Sequence, residues 1–132
     1  MKATFLIGMM MVSVMLNAGN HEYERAMGEA LEQYAAFSNT DELRQAANRF
    51  MMIAQAENNE WLPWYYHAHC FIIMSFMEQE KGAAARDALL DEAEKSLEKA
   101  EKLAPGEDEV FALRGYYYTA RLVIDPMNRG QQ

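Results

Sequence analysis

Cysteine is nearly absent. The 132-residue chain carries one, Cys70, so an intramolecular disulfide is excluded and stability must come from packing. Proline and glycine are few, three and seven. No Gly/Ser-rich linker divides the chain, which therefore reads as one domain, and no Gly-rich phosphate loop is present. Strand-favouring Val, Ile and Thr are scarce, whereas Ala, Glu, Leu, Met and Lys are common. That balance argues for helices and against a sheet. Positive charge is also short: 12 Lys and Arg stand against 20 Asp and Glu, a net charge of −8. Phosphate binding needs a cationic footprint, so no nucleic-acid partner is expected, and an anionic membrane surface is disfavoured.

Long hydrophobic runs are missing too. The longest, Ala3 to Leu16, falls short of the roughly 20 residues that a spanning helix needs. With Lys2 before it and Ala18 and Gly19 after it, the run has the layout of a secretory signal peptide. Residues 1–18 are expected to be that signal and 19–132 the mature domain, exported to the periplasm or beyond. Ala18 suits the position before the cut, but Leu16 is larger than the small residue usual two places before Ala18, and a buried N-terminal helix is the alternative. No cysteine stands near the cut, which argues against a lipid anchor. Without residues 1–18 the charge becomes −9, because only Lys2 is lost, and five of the 11 Met leave with the signal. No stable membrane span is expected in the mature chain.

What is present has helical period. Apolar residues fall on one stripe over about Glu22–Phe37, Asp41–Ala56, Trp61–Gln79, Ala84–Leu103 and Glu109–Ile124. "SNTD" (Ser38 to Asp41) offers Asn39 or Thr40 as a cap. Pro63 sits in a first turn, where no intrahelical donor is lost. "ENNE", "EKG" and "APGED" are the later turns, and the tail "MNRGQQ" shows no sign of order. The alternating Glu and Lys around Glu94, Glu98 and Glu101 read as a solvated helix face.

The chain also repeats itself at a spacing of 47 residues, Trp64 to Phe111. At that spacing Ala68 matches Gly115, Phe71 matches Tyr118, Ala46 matches Ala93, Phe50 matches Leu97, Ile53 matches Ala100 and Asn58 matches Pro105. The pattern resembles the tetratricopeptide repeat, whose signature is W-x2-L-G-x2-Y, then A-x3-F, then P. Trp64, Ala68 and Phe71 meet the first part, as do Phe111, Gly115 and Tyr118. Ala46/Phe50 and Ala93/Leu97 meet the second, with Pro105 closing. His67 and Arg114 stand where the signature has Leu. The resemblance, also to exported bacterial repeat proteins, implies an all-α fold. Helix-turn-helix units would stack as a short right-handed solenoid of about five helices. Small residues at 68 and 115 would let helices approach, with bulky neighbours filling the gap.

The densest chemistry is "EWLPWYYHAHCF", Glu60 to Phe71. His67 and Cys70 are three apart on one helix, but no third or fourth ligand is apparent, so no metal or other cofactor is expected. Cys70 reads as a buried, inert thiol and no carboxylate pair stands out, so no catalytic residue is assigned and no enzyme is expected. Packing accounts for Trp61, Trp64 and Phe71. Tyr65 and His69 fall on the opposite side of that helix, which the resemblance implies is the concave surface, and their counterparts at the same spacing are Ala112 and Tyr116. A groove carrying Tyr65, His69 and Tyr116 suits a peptide or protein segment. The expected function is therefore a non-catalytic binding module. Assembly through an unpaired fifth helix is the alternative, and a small hydrolase or metalloprotein a remote third.

Overall fold

A computed structural model describes residues 21–130, and every regular element among them is helical. The signal-like segment and the last two glutamines lie outside these residues. Helix α1 covers residues 21–36. Five more follow: α2 (Thr40–Ala56), α3 (Trp61–Met77), α4 (Ala83–Leu103), α5 (Asp108–Ile124) and the short α6 (Pro126–Arg129). A 3₁₀ turn, Gln79–Lys81, separates α3 from α4.

Local chemistry sets the boundaries. The Asn39 side chain accepts from the Glu42 N–H at 2.9 Å, and the Glu42 carboxylate reaches back to the Ser38 N–H at 2.8 Å. The first satisfies a donor that the first turn leaves without an intrahelical partner, and the second ties down the residue before the cap. Gly82 (φ +83°) and Gly106 (φ +87°) make the two turns that need left-handed backbone.

Contacts fix how the helices run. Glu29 meets Arg49, and Gln33 meets Gln45, so α1 and α2 are antiparallel. His67 meets Ser96, and Arg86 meets the Ser75 carbonyl, so α3 and α4 are antiparallel. Arg114 meets Glu101, and Arg121 meets Asp87, so the same holds for α4 and α5. Tyr34 of α1 packs on Tyr66 and His69, and His69 packs on Tyr116 of α5. The odd-numbered helices α1, α3 and α5 thus lie side by side.

The core fills the space between these helices. Leu43, Phe50, Ile72, Met74, Leu90 and Leu97 are its largest fully buried aliphatic and aromatic side chains. Small Ala46, Ala68, Ala93 and Ala100 are buried with them, which lets backbones come close. Phe71 is buried and Trp64 half-buried.

Helix α5 differs from its counterpart α3. Its buried stripe is Val110, Leu113, Tyr117 and Ala120. Phe111, Gly115 and Tyr118 face outward, with Phe111 82 % and Tyr118 62 % exposed. Nothing lies within 4 Å of a Cβ placed on Gly115. The reason is positional: Trp64, Ala68 and Phe71 belong to a helix that α4 covers, and no described helix covers that side of α5. Pro105 is exposed in the turn before it.

The tail holds more order than its sequence suggests. Asp125 caps α6, with Pro126 at its first position. Arg129 then reaches Asp87 of α4 at 2.7 Å, a contact some 40 residues back along the chain.

Candidate functional site

The three residues singled out on the ring-rich segment and its counterpart come together. The Tyr65 and His69 ring centres are 6.0 Å apart and those of His69 and Tyr116 are 5.9 Å apart. The first two sit one turn apart on α3, and α5 brings the third alongside. Tyr116 also stacks on Phe76 at 5.3 Å, and Trp61 meets Tyr65 edge-on at 5.8 Å.

Sequence reading missed the contribution of α1. Tyr34 places its hydroxyl 3.0 Å from His69 Nδ1 and packs on Tyr66 at 5.4 Å. Its place on the inward stripe of α1 was visible, but the helix it would face was not. The result is a continuous strip of rings across α1, α3 and α5. Tyr116 is 38 % exposed, and Tyr34, Tyr65, Tyr66 and His69 are half-buried.

The ring groups themselves carry no charge near neutral pH. Burial pushes the Tyr34 hydroxyl up to about 12 and moves His69 below its ordinary value, so both are neutral near pH 7. Tyr65 is raised by burial and by the Glu109 carboxylate beside it. At the α1 end, Tyr23 is pushed up to about 12 by burial, then by Glu60 and Glu57.

His67 and Cys70 face elsewhere. His67 is buried, and its Nδ1 lies 2.7 Å from Ser96 Oγ on α4. Burial lowers its pKa to about 4. Cys70 is fully buried, and burial pushes its thiol up to about 12. The Cys70 thiol is therefore not the thiolate that a nucleophile needs, and the His67 imidazole, though neutral, is buried with its Nδ1 against Ser96. Among the described residues no three His, Cys, Asp or Glu side chains gather as metal ligands would.

The supposed solvated face of α4 is partly a seam. Glu101 takes two hydrogen bonds from Arg114, both at 2.7 Å. Glu94 accepts from the Tyr117 hydroxyl at 2.8 Å. Arg121 donates to Tyr117, Asp87 and Asp91. The polar residues at the two signature-Leu positions, His67 and Arg114, are thus each answered from α4.

Fold and site together define a small all-α protein of successive antiparallel helices with a ring-lined face across alternate helices. No protein family, curated protein or solved structure matches the chain.

Proposed function

We propose that the chain is a non-catalytic binding module of an exported protein. In this reading it is a short tetratricopeptide-like stack of helix pairs. The face shared by α1, α3 and α5 captures a peptide or an extended protein segment. The observation that carries the proposal is the Tyr65–His69–Tyr116 strip. Rings supply rigid apolar area at low entropic cost, and hydroxyl and imidazole tips supply direction. The parallel course of the three helices presents those rings side by side, as a concave repeat surface would. The signal-like residues 1–18 support export.

The test is capture by a double variant, Tyr65→Ala with Tyr116→Ala. Each ring is worth about 1 kcal/mol or more at such a surface, so affinity should fall by about tenfold or more while unfolding stays cooperative. Undiminished capture would remove the site.

A second reading is favoured by one observation. Phe111 and Tyr118 are large, apolar and mostly exposed on either side of Gly115. In that reading two copies pack α5 against α5, the glycines allowing close approach. Sedimentation velocity at several concentrations checks it: the dimer fraction should rise with concentration and vanish in Phe111→Ser. A strict monomer at every concentration would eliminate this reading.

A further inference from the structure

Resting on the binding reading above, we infer that the ring-lined face of α1, α3 and α5 takes a cationic peptide, one whose Lys or Arg side chains lie against its rings. Three observations converge. The first is where the chain's own cations are. Arg25 and Arg49 are held by Glu29 on the α1–α2 side, and Arg114 and Arg121 by carboxylates of α4. Among the described residues the arginines that lie over rings are on Phe71, Tyr117 and Tyr118, and none is on Tyr34, Tyr65, His69 or Tyr116.

The second is where carboxylates are. Glu109 is exposed in the first turn of α5, the helix that carries Tyr116. Glu60 is the N-cap residue of α3, next to Trp61, whose ring meets Tyr65. Glu57, whose carbonyl accepts from the Glu60 N–H at 3.1 Å, closes α2. Glu57 lies at the C-terminal end of α2, itself negative, whereas Glu60 and Glu109 lie at the N-terminal ends of α3 and α5, where each helix contributes about half a positive charge. Full carboxylate charges exceed that, so this end of the face is negative. An acidic segment would meet repulsion there.

The third is the chemistry of the rings. Phenol faces attract ammonium and guanidinium groups through their quadrupole. The long stems of Lys and Arg also cover apolar ring area while the charged head stays near water. Rings and carboxylates together thus favour one sign of partner.

The experiment compares short peptides that alternate Leu with Lys, with Glu or with Ser, titrated into the protein by calorimetry. The Leu/Lys peptide should bind about tenfold tighter than the Leu/Glu peptide at low salt, with the gap closing as salt rises. Glu109→Gln should lose much of that preference. Glu98→Gln, the same charge change on the exposed side of α4, should keep it. Tyr116→Ala should weaken the Leu/Lys peptide specifically. Equal binding of the Lys and Glu peptides overturns the inference and leaves the binding reading standing. So does an equal loss in Glu98→Gln, which would mean attraction to an acidic protein at large. If none of the three peptides binds, the binding reading falls with it.

Discussion

His67 and Cys70 are reactive residue types that the fold silences. The unfolded His67 would bind a proton below about pH 6.5, but burial holds its folded value at about 4. The unfolded state therefore gains protons first, and stability falls as pH drops from about 6.5 towards 4. Each pH unit in that window costs about 1.4 kcal/mol, roughly 3 kcal/mol in all. His69 is shifted in the same direction and adds to the loss. Urea unfolding across this range should show the slope, and His67→Gln, which still offers Ser96 a partner, should remove most of it. Asp87 acts in a lower window: Arg129 and Arg121 hold its pKa down to about 2, so its contribution disappears only as pH falls below about 4. Cys70 should react with a disulfide reagent only as fast as the protein opens, because its thiol is both buried and protonated.

At the scale of elements, periodicity and caps were legible and neighbours were not. The apolar stripes of α2 and α4 and the Asn39 cap follow from local rules that a single helix obeys. The outward face of α5 does not. Phe111, Gly115 and Tyr118 carry the same pattern as Trp64, Ala68 and Phe71, and only the presence or absence of a covering helix separates them. The α4–α5 seam was hidden for a related reason: a Glu on an exposed stripe looks the same whether it faces water or an arginine from another helix. The Asp125 cap and Pro126 of α6 are local signals, but its hold on the body, Arg129 reaching Asp87, is encoded in no local pattern. The seam makes a prediction. Arg121→Ala leaves the Tyr117 hydroxyl and Asp87 short of a partner in a partly buried setting. It should cost about 1–2 kcal/mol in urea unfolding. Lys95→Ala, whose partner Glu92 is itself exposed, should leave the midpoint unchanged. Leu97→Ala, in the core, should cost about 2–5 kcal/mol.

For the whole molecule, the ring-rich segment serves two layers at once. One side of α3 packs Trp64, Ala68 and Phe71 towards the core, and the other carries Tyr65 and His69 between α1 and α5. The likeness of the two halves of the sequence made Tyr116 a companion of Tyr65 and His69, and the geometry places it beside them. The share of Tyr34, Tyr66 and Phe76 depends on how three helices lie together, which no single segment specifies. The proposal that this face binds a peptide is tested most directly by backbone NMR of the protein titrated with the Leu/Lys peptide. The account predicts shift changes concentrated at Tyr34, Tyr65, His69 and Tyr116, with Phe111, Tyr118 and Glu98 unmoved. Changes confined to the outer side of α5, or spread evenly over the acidic surface, would contradict it.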